Sequence, residues 1–298
     1  MEYDIIIIGA GPAGLTAALY AYRYNLNTLL ISKDLGGTVL EAHSVENFPG
    51  YKTITGIELM KLWINHIKSL KIEIQQEDII NIEKQKDIFI VTTKNGKKFQ
   101  SKTIILALGM KRKRLNIKGE DQFLGKGISY CASCDAPLYK NKIIAVIGGG
   151  DTALIDAQLL SKYAKKVYII HRRDQFRAEP TRVQQIKKNK KIEIIYNSNV
   201  KEIKGNNFVE TIILDNNTQL KVDGIFIDVG FIPSIDIIKK LNVKCDENDY
   251  IMVNNKQETN ISGLFAAGDI TNNPLKQIIT ATAEGALAAF SAFKFIKK

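Results

Sequence analysis

The first thirty residues place hydrophobic and polar positions in the order of a strand, a tight turn, a helix and a second strand. The run Ile5–Ile8 is continuously apolar, which is typical of a strand buried on both faces of a parallel sheet. A glycine-rich turn follows at Gly9–Gly14, and small and apolar residues then recur at helical spacing through Leu15–Tyr22. The segment Thr28–Ile31 predicts the next strand and completes a βαβ unit.

The same pattern returns in the middle of the chain. Lys142–Ile147 predicts a strand, Gly148–Ala153 a glycine-rich turn, Leu154–Leu160 a helix and Lys166–Ile170 another strand. A βαβ unit whose first turn is rich in glycine is the usual framework for binding a dinucleotide. Two such units in one chain therefore predict two bound nucleotides.

The remaining segments indicate how the two units are joined. A strand and a glycine turn at Ile225–Gly230 close the second unit. The tail, with Gly263–Asp269 and an alanine-rich helix from Gln277 to Phe295, is short for a separate domain, so we expect it to complete the first unit. The predicted fold class is α/β, with two doubly wound, Rossmann-like domains. Their predicted bounds are 1–112 together with 231–298, and an inserted domain at 113–230.

Gly9, Gly11 and Gly14 form a G-x-G-x-x-G pattern directly between a predicted strand and a predicted helix. Glycine at these positions permits the tight turn, the close approach of a pyrophosphate and the packing of helix on strand. The N-terminus of the helix attracts the phosphates. The alternative is an α/β turn that binds nothing, but the position between a buried strand and a helix favours a dinucleotide site.

The second turn repeats the pattern as Gly148, Gly150 and Ala153. An NAD site expects an acidic residue about twenty residues farther on, which accepts a hydrogen bond from the ribose 2′-hydroxyl. This chain has a basic segment there instead.

The basic segment is His171–Arg177, and it contains Arg172, Arg173 and Arg177. Arginine can hold a 2′-phosphate through paired hydrogen bonds, so the segment predicts NADPH as the second nucleotide. A solvated basic turn is the alternative. Asp174 lies in the same segment, which leaves the strictness of NADPH over NADH open.

Cys131 and Cys134 form a C-x-x-C pair that is followed by Asp135. Such a dithiol can accept two electrons and pass them on by thiol–disulfide exchange, and a neighbouring carboxyl can move the protons. Two buried free thiols are the alternative, which the presence of two nucleotide motifs disfavours. A zinc site would need two further ligands, and the remaining candidates lack ligand spacing, so we expect no metal. Those candidates are Cys245, His43, His66 and His171.

The formal net charge of +11 invites comparison with nucleic-acid-binding proteins. The 42 lysines and arginines are spread along the whole chain, and no basic helix or interleaved aromatic platform accompanies them. We therefore expect solvated surface charge that steers anionic partners, and no nucleic-acid partner.

The first predicted strand begins by residue 4, with no charged and apolar leader before it. No stretch comes near the ~18 consecutive apolar residues that a membrane helix needs. We expect a soluble, cytoplasmic protein without a membrane segment.

Five motifs together resemble the low-molecular-weight thioredoxin reductases, in the order of that family and over essentially the whole chain. They are GAGPAG, CASCD, GGGDTA, HRRxxFRA and FAAGD. Each motif is common to a wider group of flavoproteins, but C-x-x-C-D inside the NADPH domain is specific to this family.

The resemblance implies electron flow from NADPH through FAD and the Cys131–Cys134 pair to thioredoxin. It implies that Cys134 faces the flavin, that Cys131 attacks the thioredoxin disulfide and that Asp135 is the acid–base residue. It also implies a homodimer and a rotation of the NADPH domain, which lets one flavin meet first the nicotinamide and then the dithiol.

The cofactor contacts are also implied by the resemblance. Asp269 would bind the flavin ribityl chain, Gln277 would lie near the isoalloxazine ring, and Asn47 would contact the flavin. The FAD residues are Gly9, Gly11, Pro12, Ala13, Gly14, Gly36, Gly37, Thr38, Asn47, Gly109, Gly268, Asp269, Gln277 and Ile278. The NADPH residues are Gly148, Gly150, Asp151, Thr152, His171, Arg172, Arg173 and Arg177.

Three positions depart from the family pattern. Thr38 stands where glutamine is frequent, which weakens or removes one flavin hydrogen bond. Ala136–Pro137 replaces a glycine after Asp135 and stiffens that segment, and Lys276 replaces an arginine. Two other functions stay open: a reductase for a glutaredoxin-like or peroxiredoxin-type acceptor or with a different donor, and a redox-sensing flavoprotein that does not turn over.

Overall fold

The structure, a computed structural model, describes residues 2–42 and 45–297. His43, one of the candidate zinc ligands, lies outside the described residues. The chain divides into two compact units. Unit 1 contains the chain up to Lys111 and again from Ile232, and unit 2 spans Arg112–Phe231.

The first part of unit 1 alternates strands and helices. Helix α2 begins with a capping box, in which Oγ1 of Thr55 accepts from the N–H of Glu58 and the Glu58 carboxylate accepts from the N–H of Thr55. The elements are β1 (Glu2–Ala10), α1 (Pro12–Arg23), β2 (Thr28–Leu35), the 3-10 helix Gly37–Glu41, α2 (Gly56–Ser69), β3 (Glu73–Gln75), β4 (Ile79–Gln85), β5 (Ile88–Thr93), β6 (Lys98–Leu106) and β7 (Met110–Arg112).

Unit 2 follows, and the chain then returns to unit 1. The elements of unit 2 are α3 (Glu120–Phe123), β8 (Ile128–Ser129), α4 (Ala132–Asp135), the 3-10 helix Ala136–Tyr139, β9 (Ile143–Gly148), α5 (Asp151–Ser161), β10 (Lys166–Ile170), α6 (Pro180–Lys188), β11 (Ile192–Ile195), β12 (Val200–Gly205), β13 (Val209–Leu214), β14 (Gln219–Lys221) and β15 (Gly224–Asp228). The last elements are β16 (Phe231–Pro233), the 3-10 helix Asp236–Leu241, β17 (Leu264–Ala266) and α7 (Ile278–Ile296).

Among the described residues, unit 1 is built on a seven-stranded sheet. Strands β3, β2, β1 and β6 are parallel in that order, and β17 extends the parallel part beside the second half of β6. Strands β5 and β4 continue antiparallel from its first half. Ile5 and Ile7 pack into the core cluster that contains residues of α1 and α7, whereas Ile6 and Ile8 pack into a cluster on the opposite face. This explains the unbroken apolar run of β1.

Unit 2 has a five-stranded parallel sheet in the order β11, β10, β9, β15, β8. Ile144 and Val146 of β9 join one core cluster and Ala145 and Ile147 join another, as in β1. An antiparallel sheet of β12, β13 and β14 is added. The predicted α/β class with two Rossmann-like units is confirmed.

Helix α7 corrects one expectation from the sequence. An 18-residue window of this 19-residue helix has a mean hydropathy of 1.2, so by length and composition the helix could cross a membrane, and the expectation that no such stretch exists was wrong. In the structure α7 packs against α1, and an added Cβ on Gly285 would overlap the carbonyl oxygen of Ala13. Core helices pass the same test of length and composition, and α7 packs as one of them.

Candidate active site

The first glycine turn leaves one open position between two closed ones. An added Cβ at Gly9 would overlap the carbonyl oxygen of Ala107, and one at Gly14 would overlap that of Gly9. At Gly11 the nearest atom to an added Cβ is the Cα of Gly37, at 3.9 Å. Glycine at 9 and 14 therefore permits close packing, whereas glycine at 11 keeps the space above the turn free.

Helix α1 presents its N-terminus at this turn. The helix begins at Pro12, and Gly11 before it has no side chain to cap the first N–H groups. Those N–H groups and the positive end of the helix dipole can hold a phosphate. Pro12 and Ala13 add no polar side chain that would compete. The turn therefore fits the pyrophosphate of a dinucleotide.

The end of β2 lies beside the first turn. Oγ of Ser32 accepts a hydrogen bond from the N–H of Ala10 at 3.1 Å, and the N–H of Gly36 donates to the carbonyl oxygen of Ala10 at 2.8 Å. Gly36 and Gly37 have φ values of 109° and 62°, which suit glycine. Thr38 is exposed in the following 3-10 helix. The structure thus brings residues 36–38 next to the first glycine turn.

The loop after β17 approaches the turn from another side. Gly268 has a φ of 83°, and an added Cβ would lie 3.0 Å from the Cβ of Ala13. Asp269 follows and is partly buried. Burial raises the pKa of the Asp269 carboxyl; the charge of Lys276 opposes this shift and the charge of Glu284 adds to it. Gly268 and Asp269 are therefore held close to the first turn of α1.

Two more of the predicted flavin residues meet at the start of α7. Asn47 donates from Nδ2 to Oε1 of Gln277 at 2.9 Å, and Ile278 is the first residue of the helix. Gly109 follows β6, with a φ of 58°, and no described atom lies within 4 Å of an added Cβ there. All the predicted FAD positions thus belong to unit 1.

Sequence reasoning missed Glu284. This buried carboxylate on α7 accepts hydrogen bonds from the N–H of Gly268 at 2.7 Å, from Oγ1 of Thr271 at 3.0 Å and from Nδ2 of Asn273. The signal was present, because Glu284 is the only acidic residue in the apolar stretch Ile278–Ile296. A single acid in such a helix indicates a polar contact that only the fold can identify.

Lys276, which stands where the family often has arginine, is partly buried. Its Nζ donates to the carbonyl oxygen of Thr271 and lies 4.2 Å from the ring centroid of Tyr250. Burial lowers the pKa of this ammonium group, and the charges of Asp269 and Glu284 oppose the shift. Lysine in place of arginine at position 276 therefore keeps a basic side chain near Asp269.

The second glycine turn, in unit 2, also combines closely packed glycines with one glycine that faces open space. An added Cβ at Gly148 would overlap the carbonyl oxygen of Asp228, and one at Gly149 would overlap the ring of His171. At Gly150 no described atom lies within 4 Å of an added Cβ. Helix α5 begins directly after Gly150, without a side-chain cap. This turn fits a second dinucleotide for the same physical reasons.

The loop after β10 is fixed against this turn. Nε2 of His171 lies 3.0 Å from the carbonyl oxygen of Gln175, and the His171 and Phe176 ring centroids are 5.5 Å apart. The N–H of Arg177 donates to the carbonyl oxygen of Gly149 at 2.9 Å. Burial lowers the pKa of His171, and the neighbouring arginines lower it further.

Arg172, Arg173 and Arg177 are exposed, and none of them forms a salt bridge with the part of the chain that the structure describes. The same loop therefore carries three positive charges that an anionic ligand can use. Asp174 is exposed beside them.

Asp151 makes contacts that its predicted role did not suggest. Its Oδ1 accepts from the N–H of Glu179 at 2.9 Å and lies 3.3 Å from Nε of Arg182. This carboxylate therefore ties the start of α5 to the start of α6. Thr152, the next residue, is exposed at the first turn of α5.

Cys131 and Cys134 form a disulfide in unit 2, with their Cα atoms 5.3 Å apart. The N–H of Cys134 donates to Sγ of Cys131 at 3.2 Å, and the N–H of Cys131 donates to Oγ of Ser129 at 3.0 Å. Cys134 is exposed and Cys131 is partly exposed. The predicted redox pair is therefore close enough to bond and is open to exchange. The contact of Ser129 was not predicted.

Short helices hold the pair on the core of unit 2. Ala132 and Ala136 are buried in the same cluster as Ala153 and Leu154 of α5. Asp135 is partly buried, and its charge adds to the rise in the pKa of Tyr139 that burial causes. The Ala136–Pro137 departure from glycine thus supplies a buried methyl group and a proline at the start of the next 3-10 helix.

A buried carboxylate anchors the residue before Cys131. The hydroxyl of Tyr130 donates to Oε1 of Glu120 at 2.5 Å, and Glu120 also accepts from the N–H groups of Leu115 at 3.1 Å and Asn116 at 2.7 Å. Burial raises the pKa of Tyr130 to about 12, with the hydrogen bond to Glu120 contributing. Neither residue was identified from the sequence.

Comparison with known proteins agrees with this arrangement. The model of the family described as pyridine nucleotide-disulphide oxidoreductase matches residues 3–285. The thioredoxin reductase of Bacillus subtilis (strain 168) is 37% identical over 303 residues, covering 99% of this chain and 95% of that protein.

Two solved structures are similar to this chain in sequence and in fold. The FR conformation of Lactococcus lactis thioredoxin reductase has a TM-score of 0.93 at 37% identity, covering 99% of each chain. A ferredoxin-flavin thioredoxin reductase from Clostridium acetobutylicum has a TM-score of 0.55 at 34% identity, covering 98% of this chain and 97% of that one. The name of the Clostridium acetobutylicum enzyme includes ferredoxin, whereas the name of the Lactococcus lactis enzyme gives no electron donor.

Proposed function

The chain belongs to the pyridine nucleotide-disulphide oxidoreductase family, and we propose that it is a thioredoxin reductase that uses NADPH and FAD. The observation that carries the proposal is the exposed Cys131–Cys134 disulfide, in the same unit as an open dinucleotide turn. A pair of this kind takes up two electrons and gives them to another disulfide by exchange.

We assign FAD to unit 1, where the turn at Gly11 is open and which also contains Asp269, Asn47 and Gln277. A bound flavin would supply two-electron transfer between a nicotinamide and a disulfide. The chain's own groups would hold it: the N–H groups of α1 bind the pyrophosphate, and Asp269 binds the ribityl hydroxyls.

We assign NADPH to unit 2 because of its three exposed arginines. Arg172, Arg173 and Arg177 offer several N–H donors to a 2′-phosphate, and they lie on the loop held against the second glycine turn. NADH is the first alternative donor, since Asp174 could accept from a 2′-hydroxyl. Ferredoxin is the second, by analogy with the Clostridium acetobutylicum enzyme.

The dithiol chemistry follows from the two cysteines and one carboxyl. After the disulfide takes up two electrons, the Cys131 thiolate attacks the acceptor disulfide and displaces one acceptor thiol. Cys134 then attacks Cys131 in the mixed disulfide, which restores the Cys131–Cys134 bond and releases the second acceptor thiol. We assign the proton transfer to Asp135, the last residue of the same short helix.

We propose thioredoxin as the acceptor, on the names of the relatives, with glutaredoxin-like and peroxiredoxin-type proteins as alternatives. A homodimer and a cytoplasmic location are further parts of the proposal. A reducing compartment suits a protein whose dithiol must be reduced in each cycle.

The test is to mix the purified protein with NADPH and oxidised thioredoxin. We expect the flavin absorbance to fall when NADPH is added and to recover as thioredoxin thiols appear. Thiol formation that continues over many turnovers supports the reductase. Bleaching without acceptor reduction would favour the redox sensor, and reduction by ferredoxin but not by NADPH would overturn the donor assignment.

A further inference from the structure

Glu284 projects from α7 into a site where three donors meet. Its side chain is almost fully buried, with the residue 5% exposed. A buried carboxylate is costly unless hydrogen-bond donors surround it. Here the N–H of Gly268 and the hydroxyl of Thr271 reach Oε2, and the side-chain amide of Asn273 reaches Oε1. The carboxylate is therefore matched to donors on both oxygens.

The three donors all belong to one loop. Residues 268–273 follow β17, and the loop contains Asp269, which is assigned to FAD above. Gly268 adopts a positive φ, and because glycine has access to many other conformations, contacts are needed to hold its peptide in this one. The carboxylate of Glu284 provides such a contact, since it accepts directly from the Gly268 N–H. Lys276 holds the same loop through the carbonyl oxygen of Thr271.

We propose that Glu284 is a positioning residue of the flavin site. Its carboxylate holds the Gly268–Asp269 turn in the conformation that binds FAD, without touching the flavin itself. The inference rests on the proposed function, because it assumes that FAD binds at this turn. It adds a residue on α7 to those that the motifs identify.

The pattern of donors and acceptors allows a sharp test. Glu284→Gln keeps the size of the side chain but turns one acceptor into an NH2 donor. That group must face a donor, either Gly268 or Asn273, so a buried donor loses its acceptor. Asn273→Asp places an acceptor opposite the new donor, so the double variant E284Q/N273D restores a matched pair with unchanged net charge. Asn273→Asp alone sets two carboxylates against each other.

The measurement is the dissociation constant of FAD from each purified variant, by flavin fluorescence after the flavin has been removed and added back. We expect E284Q and N273D each to weaken FAD binding by about tenfold, the loss of one buried hydrogen bond. We expect E284Q/N273D to return to within about threefold of the wild type. Thr271→Val removes a hydroxyl that contacts both the Glu284 carboxylate and the carbonyl oxygen of Gly268, and it should weaken binding by about threefold.

Glu120→Gln is the matched control. Glu120 is also a buried glutamate with several donors, but it belongs to unit 2. We expect E120Q to lower the melting temperature and to leave the FAD dissociation constant unchanged. If E284Q does not fold, the comparison of N273D with E284Q/N273D still decides the question, because the recovery is expected only if Asn273 acts through residue 284.

Four results are decisive. Wild-type affinity in E284Q, or a double variant as weak as E284Q, would overturn the positioning role. Weak FAD binding in E120Q would show that E284Q weakens FAD binding only by destabilising the protein. That result would also overturn the positioning role of Glu284. A wild-type protein that does not bind FAD would refute the proposed function itself.

Discussion

Asn47 donates a hydrogen bond to Gln277 at 2.9 Å, although 230 residues separate them in the sequence. Asn47 lies between the first 3-10 helix and α2, and Gln277 immediately precedes α7. Both residues are exposed in unit 1, so their contact contributes little to stability. It fixes the direction of two polar side chains at the edge of the site that we assign to FAD.

Asn47→Ala should therefore affect the flavin more than the fold. It removes the donor and leaves the Gln277 side chain free to rotate, so we expect FAD to bind about fivefold more weakly, or about 1 kcal/mol. The melting temperature of the flavin-free protein should stay within about 2 °C of the wild type. The control is Asn81→Ala, because Asn81 also donates to an exposed side chain, Glu83, in unit 1. Equal losses in both variants would contradict the assignment.

The arginine loop gives a test of the second nucleotide. Arg172→Ala together with Arg173→Ala should raise the KM for NADPH by at least about tenfold, because charge-assisted hydrogen bonds to a phosphate are lost. The KM for NADH should change little. Lys187→Ala with Lys188→Ala removes the same charge from the end of α6 and is the control. A similar rise for both nucleotides would refute the 2′-phosphate contact.

The cysteine assignment predicts two different outcomes for three serine variants. Cys131→Ser and Cys134→Ser should each retain the bound flavin and its reduction by NADPH but lose catalytic reduction of the acceptor, since exchange needs both sulfurs. Cys245→Ser should keep full activity. Cys245 is partly buried in unit 1, and burial raises the pKa of its thiol, which makes it a poor nucleophile. Acceptor reduction by either single serine variant would rule out the dithiol route.

The lowered pKa of His171 predicts how the free energy of unfolding changes at acidic pH. Its pKa is lowered in the folded protein, so the unfolded state binds the proton more readily. The stability that the neutral ring contributes is complete above the unfolded pKa of 6.5 and is lost as the pH falls below it.

The comparison is between the wild type and His171→Gln in urea unfolding. The wild type should be more stable at about pH 8, and the difference should shrink from about pH 7 to about pH 5. His66→Gln, at an exposed position on α2, is the matched control for replacing a histidine with glutamine. A difference between wild type and H171Q that stays constant with pH would show that the ring does not titrate as described.

The sequence predicted those parts of the fold in which neighbouring residues decide the structure. The alternate residues of β1, Ile5 and Ile7 against Ile6 and Ile8, enter two different core clusters, and this is why the run is apolar throughout. The glycines were identifiable because the backbone passes too close to itself for a side chain at Gly9 and Gly14. The C-x-x-C spacing likewise places both sulfurs within reach of each other.

What the sequence did not predict depends on partners far along the chain. The antiparallel strands β4, β5 and β12–β14 pair through backbone contacts that leave only weak patterns in the side chains. Glu284 and Glu120 each look like an ordinary glutamate until the fold surrounds them with donors. The Ser32 contact with Ala10 is of the same kind. Residues that support a site are therefore harder to find than those in its motifs.

The tight crossing of α7 over α1, where Gly285 leaves no room for a methyl group against Ala13, has a consequence for biosynthesis. The ribosome synthesises Gly285 more than 270 residues after Ala13, so unit 1 cannot complete its fold until late in synthesis. Unit 2 is one continuous segment and can fold before then. A nascent chain that lacks α7 should therefore be able to fold unit 2, whereas the site that we assign to FAD cannot be completed until α7 has been synthesised.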